Sequence, residues 1–81
     1  MIVRYWAAAK AAAGLAEEQA DATTLAGVLE QVRTRHDARL GEVLARCSFV
    51  LDGDPVGTRA HESVAVGPDS VVECLPPFAG G

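Results

Sequence analysis

At the start of the chain Val3, Tyr5 and Ala7 alternate with Ile2, Arg4 and Trp6, a period of two that predicts a strand over residues 1–7. Arg4 marks the second set as the more open face. Residues 8–13 predict a short helical turn that stops at Gly14, and residues 15–22 a second strand paired back on the first. Thr23 or Thr24 is placed to cap a helix, because Leu25, Val28, Leu29 and Val32 then fall at i, i+3, i+4 and i+7 as one apolar stripe. Leu40, Val43, Leu44 and Cys47 repeat the spacing around a slight interruption at Gly41, which predicts helix over about 24–46 with a break near Asp37. A strand pattern returns over 47–51, where Asp52-Gly53-Asp54-Pro55 is a turn that closes a hairpin onto Val56. Gly67-Pro68-Asp69 is a second turn, and a last strand follows over 70–75. Glu73 marks the polar side of that strand, which places Val71 and Leu75 with it and turns Val72 and Cys74 toward the helix. Strands on either side of one helical stretch that covers one sheet face make an α+β domain.

The length of 81 residues allows a single domain over 1–81, with one modest core and little depth for an enclosed catalytic cleft. That argues against an enzyme acting alone. The formal net charge of −4 argues against a nucleic-acid module, which would show a basic stripe. Two cysteines make at most one disulfide, fewer than small secreted scaffolds usually carry, so a reducing compartment is expected. Residues 1–13 resemble a signal peptide in part, but the uncharged run between Arg4 and Lys10 is shorter than the ~7 residues such a segment needs. No stretch approaches the ~20 apolar residues of a membrane span. The expectation is a mature cytoplasmic chain. The bias toward alanine, and toward arginine over a single lysine, is most simply that of a GC-rich genome.

Several chemical constellations fail on spacing. Asp52, Asp54 and Gly57 match positions 1, 3 and 6 of a calcium loop, but Val56 and Ser63 occupy two positions that need ligands. Cys47, Cys74, His36 and His61 lack the close pairs of a zinc site, which leaves buried cysteines and surface histidine. No metal site is expected. Glu17 and Glu18 are adjacent, so on a strand they point to opposite faces. Without a phosphate-binding glycine loop, any nucleotide chemistry has to come from another protein.

The end of the chain is different. Pro76 and Pro77 have no N–H to donate, so pairing should stop at Leu75 and a tail of about 76–81 should leave extended. Pro76, Pro77 and Phe78 stiffen this segment, and after Ala79 come Gly80 and Gly81, which impose no side-chain bulk and suit a narrow channel in a partner. A carboxylate on Gly81 is ionised at neutral pH and is the reactive group such a tail would deliver. If the first and last strands are neighbours, Trp6 and Leu75 share the open face, with Val71 on the same side, as a docking patch beside the tail.

On these residues the chain resembles the small sulfur carriers of the ubiquitin-like MoaD/ThiS superfamily, and among them the small subunits of molybdopterin synthase. The resemblance runs over the whole length. It rests on Ile2-Val3-Arg4-Tyr5-Trp6, the helix from Thr24-Leu25 to Val32, the Val50-Leu51-Asp52-Gly53 hairpin and the Val66-Gly67-Pro68-Asp69-Ser70-Val71 turn. Its most specific element is Leu75-Pro76-Pro77-Phe78-Ala79-Gly80-Gly81, similar to the P-P-x-x-G-G ending of those subunits. Asp52 stands where the family often has asparagine, and Cys74 and Leu75 where aromatics often precede the double proline.

The resemblance implies a ubiquitin-like β-grasp, a mixed sheet of about four to five strands with one main helix on one face. It also implies a reaction cycle in which the chain binds no cofactor. An E1-like adenylating enzyme would use ATP to form an acyl-adenylate on Gly81, and a sulfurtransferase or other persulfide donor would displace AMP. The resulting thiocarboxylate would deliver sulfur inside the large subunit of molybdopterin synthase, to build the dithiolene of molybdopterin for molybdenum cofactor biosynthesis. Gly80 would give clearance, while Trp6, Leu75, Pro76, Pro77 and Phe78 position the tail. Other members leave alternatives open: a ubiquitin-like modifier conjugated through Gly81, or a carrier for thiamin, cysteine or tungsten-cofactor synthesis.

Overall fold

The computed structural model describes residues 1–77. The strand β1 covers Ile2–Tyr5, and α1, Ala7–Ala13, begins where the alternation predicted the strand's last residue. Gly14 ends α1 at φ +79, its N–H donating to Lys10 O at 2.9 Å. A residue with a Cβ is disfavoured at that angle, which is why the alanine run stops there. The strand β2, Glu17–Gln19, pairs antiparallel with β1 as expected but is shorter than predicted.

The predicted long helix is two helices. The first, α2, is Leu25–Arg35, with Thr24 Oγ1 accepting from Gly27 N at 3.1 Å. The second, α3, is Ala38–Leu44, and the break falls at Asp37, whose carboxylate accepts from Arg39 N at 3.0 Å. Each capping side chain satisfies an N–H that has no partner inside its helix. Cys47 lies beyond α3, just ahead of β3, Ser48–Leu51, so the apolar spacing overstated the helix. Asp52 at φ +50 and Gly53 at φ +86 have the left-handed pair of a tight hairpin turn. They join β3 to β4, Asp54–Pro55. A 3-10 turn at His61–Ser63, not predicted, lies between β4 and β5, Val71–Leu75.

The five strands lie in the order β2-β1-β5-β3-β4, with β1 and β5 parallel at the centre and the other neighbours antiparallel. Val3, Tyr5, Phe49, Val72 and Cys74 on one face pack with Leu25, Val28, Leu29 and Val32 of α2. Ala9 from α1 and Leu40 and Leu44 from α3 complete that core, so two short helices supplement the single main helix expected. No helix among the described residues is long and apolar enough to cross a membrane.

Adjacent residues on β2 do face opposite ways. Glu17 lies 3.5 Å from Arg4, whereas Glu18 reaches the core side, where it accepts from Tyr5 OH at 2.6 Å and Arg35 NH1 at 3.2 Å. His36 Nε2 lies 2.6 Å from the same carboxylate, so this histidine is a partly buried partner at the end of α2, not the surface residue expected. Desolvation alone would raise the Glu18 carboxyl, but the hydrogen bonds from Tyr5, His36 and Arg35 outweigh it and hold it below its ordinary value. Burial and the bond to Glu18 push the Tyr5 hydroxyl well up. A carboxyl depressed on folding stabilises the fold above its unfolded pKa, and that contribution is lost as pH falls through the folded value. Glu18→Gln is therefore expected to lower stability at pH 7 by about 1–3 kcal/mol. Urea unfolding should show this gap narrowing below about pH 4.5. A gap independent of pH would mean that shape, not charge, holds the cluster.

Candidate functional site

Parallel pairing of β1 with β5 puts the two ends that matter side by side. Tyr5 is opposite Cys74, and the pairing extends one step further, with Trp6 N donating to Cys74 O at 3.2 Å. Ala7 then turns the chain sharply into α1 at φ +48, a conformation that costs a residue with a Cβ about 1 kcal/mol. Trp6 is left at the end of the strand, 46% exposed, with its indole Nε1 donating to Glu73 Oε1 at 3.2 Å. Arg4 NH1 lies 3.9 Å from the same carboxylate, so Glu73 links Trp6 to the charged middle of the sheet.

Residues opposed in a sheet share a face. Ile2, Arg4, Val71, Glu73, Leu75, Ser48 and Val50 therefore lie together on the side away from the core. The division expected for the last strand holds, since Val72 and Cys74 are buried and Val71, Glu73 and Leu75 are half-buried. Trp6 and Leu75 come together as neighbours on this face. Val71 does not join them, because it sits opposite Ile2, about 13 Å along the strand from Leu75 at the usual rise. Pro76 is buried and Pro77 exposed. With Ala8, Val43 and Arg46 they line a small depression between α1 and α3. The first residue of the expected tail is thus seated in the body. Phe78, Ala79, Gly80 and Gly81 lie outside the described residues.

Sequence reading placed Ile2 on this open face with Arg4 and Trp6 but missed Val50. The alternation around Phe49 carried the signal for Val50, but only the strand order shows that it lies across from Glu73.

The model of the ThiS family matches residues 3–81, nearly the whole chain. The chain belongs to the ThiS family. Solved structures show the same ubiquitin-like β-grasp. The small archaeal modifier protein 1 from Methanosarcina acetivorans is 18% identical with a TM-score of 0.85, the match covering 99% of this chain and 94% of that one. The BexX/CysO complex from Amycolatopsis orientalis contains a chain 16% identical, TM-score 0.81, covering 99% and 98%. A complex of subunits 1 and 2 of molybdopterin-converting factor from Helicobacter pylori contains one 21% identical, TM-score 0.69, covering 99% and 96%. No curated protein matches the sequence.

In this ThiS-family chain the two thiols are poorly placed for sulfur chemistry. Burial pushes Cys74 up to about 12, helped by Cys47, and burial alone pushes Cys47 up to about 11. Both are neutral thiols at pH 7, and the thiolate is the nucleophilic form. His61 packs edge-on against Phe49, with ring centroids 5.2 Å apart. The hairpin aspartate Asp52 accepts from Val71 N at 2.8 Å and so fastens the turn to β5.

Leu75 gives the outer face its most direct test. An outward position does not force a charge into the core, so Leu75→Glu should leave the free chain folded. It should weaken binding to a partner that covers the face by about 2 kcal/mol, the effect of losing a buried anchor. Titration calorimetry reads the affinity and circular dichroism the fold. Loss of folding would assign Leu75 to the core.

Proposed function

We propose that this ThiS-family chain is a sulfur carrier, the small subunit of a molybdopterin synthase, and that Gly81 is its reacting residue. The observation that carries the reading is the Pro76-Pro77-Phe78-Ala79-Gly80-Gly81 ending on a chain that the family model matches through residue 81.

The chemistry follows from the carboxylate. As a poor electrophile it first attacks the α-phosphorus of ATP on an E1-like adenylating enzyme, releasing pyrophosphate and leaving an acyl-adenylate on Gly81. The outer sulfur of a persulfide on a sulfurtransferase attacks the acyl carbon and AMP departs. A donor thiol then cleaves the S–S bond and frees the thiocarboxylate, whose sulfur bonds to a carbon of a pterin precursor in the large synthase subunit in place of an oxygen substituent, after which water cleaves the acyl–sulfur bond and returns Gly81 as a carboxylate. Gly80 and Ala79 thread the entrance to the reacting centre. Phe78, Pro77 and Pro76 fix its distance from the body, while Trp6 and Leu75 meet the partner. This chain binds no cofactor in that scheme, since the partner holds the ATP. The work belongs to the cytoplasm, where thiols stay reduced.

The thiocarboxylate form, mixed with the large subunit of molybdopterin synthase and the pterin precursor, should yield the dithiolene at one sulfur per chain consumed. Sulfur transfer to a thiamin or cysteine precursor instead would reassign the pathway. Isopeptide bonds from Gly81 to protein lysines, with no thiocarboxylate, would make the chain a ubiquitin-like modifier.

A further inference from the structure

Most of the positive charge in this acidic chain is engaged. Arg4 pairs with Glu17 and Glu73, Arg33 with Glu30 and Arg35 with Glu18, while Arg59 donates to the Val56 and Pro55 carbonyls. Among the described residues, the side chains of Lys10, Arg39 and Arg46 enter no ion pair or hydrogen bond. All three are exposed, and all three lie toward the end of the molecule where β5 leaves the sheet. Lys10 is on α1, which starts at the level of Cys74, and Arg39 and Arg46 bracket much of α3. Asp52, Asp54 and Asp69 lie at the opposite end, around the hairpin and the start of β5. A chain of net charge −4 thus presents its uncommitted cations around the root of the tail.

The surface there has an apolar part as well. Ala8, Val43, Pro76 and Pro77 line the depression that Arg46 borders, and an adjoining one is lined by Arg39, Glu42, Val43, Ala45 and Arg46. Glu42 lines this surface and Asp37 caps α3 beside Arg39, so against Lys10, Arg39 and Arg46 the two carboxylates leave an excess of one positive charge.

We infer that this helical side of the tail root is a second docking surface, fitted to an acidic segment with apolar side chains on the protein that activates the tail. The inference rests on the sulfur-carrier reading. Trp6 and Leu75 offer a partner the sheet side of the root, and this surface offers it the helical side. Carboxylates meeting Arg39, Arg46 and Lys10 would complement the charge and speed the encounter. Nucleic acid fits poorly, because the rest of the surface is acidic and would repel phosphate.

The test is binding to the adenylating enzyme of the same organism at about 50 and 200 mM salt, where screening differs about twofold in range. The probe chains are wild type, the triple variant Lys10→Glu, Arg39→Glu, Arg46→Glu, the charge-preserving triple Lys10→Arg, Arg39→Lys, Arg46→Lys, and Asp54→Lys at the other end. Wild-type binding should weaken with salt, and the reversed triple should bind roughly tenfold more weakly at low salt and lose most of that dependence. The charge-preserving triple should bind nearly as wild type, and Asp54→Lys should not weaken binding. Wild-type binding indifferent to salt, or a folded reversed triple that binds as wild type does, overturns the inference. Pyrophosphate exchange by wild type, measured alongside, separates the two readings. Exchange with binding blind to the reversal removes the surface alone, and binding sensitive to the reversal without exchange removes the sulfur-carrier reading alone.

Discussion

Deletion of Gly81 is expected to abolish ATP-dependent activation while leaving the fold intact. The carboxylate would move back one residue, onto Gly80, about 3.5 Å short of an adenylating centre built for the longer tail. Near-attack geometry tolerates little displacement, and about 1 Å of misplacement already costs roughly a hundredfold in rate. Stability should not change, because β5 ends at Leu75 and the core described closes with Pro76. Pyrophosphate exchange with the adenylating enzyme and thermal unfolding of the free chain measure the two halves. Undiminished exchange by the truncated chain would remove Gly81 from the mechanism. Adding a residue after Gly81 should be equally damaging.

Gly80→Ala is the second large effect, and it separates a steric requirement from mere mobility. The substitution adds one methyl group and restricts the backbone only modestly, so a tail that needs only freedom would be nearly indifferent to it. A channel at van der Waals contact would reject the methyl or shift the acyl carbon. Docking of the body should survive, since Trp6 and Leu75 are untouched. Single-turnover adenylation at saturating partner should fall by roughly a hundredfold. A wild-type rate would leave Gly80 as a spacer and remove the channel from the account.

The sequence made much of this legible because period and burial coincide. The apolar stripe of α2, the stop at Gly14 and the inward turn of Val72 and Cys74 are all decided within a few residues of chain. The break at Asp37 was legible for the same reason, since the capping carboxylate and the N–H it accepts are two residues apart. Long-range facts were not. Glu18 meets Tyr5 and His36 only through the register of β2 on β1 and the position where α2 ends, and no local pattern encodes that meeting. Residues 57–69 show no period because they are fastened by single contacts, such as Leu25 N to Val64 O at 2.9 Å and Val66 N to Thr23 O at 3.0 Å. The helix began at Ala7, earlier than alternation suggested, because the positive φ there ends the strand and leaves no trace in a run of alanines. For the candidate site, the shared face of Trp6 and Leu75 could be read by assuming that the first and last strands are neighbours. The burial of Pro76 could not, since it depends on α1 and α3 meeting beside the end of β5.

The intact mass of the chain isolated from its host tests sulfur carriage most directly. The account predicts a population heavier by the exchange of one oxygen for sulfur, with the added mass confined to the peptide that ends in Gly80-Gly81 and lost on incubation with the large synthase subunit and pterin precursor. A chain found only with a free carboxylate, or joined through Gly81 to lysines of other proteins, would contradict it.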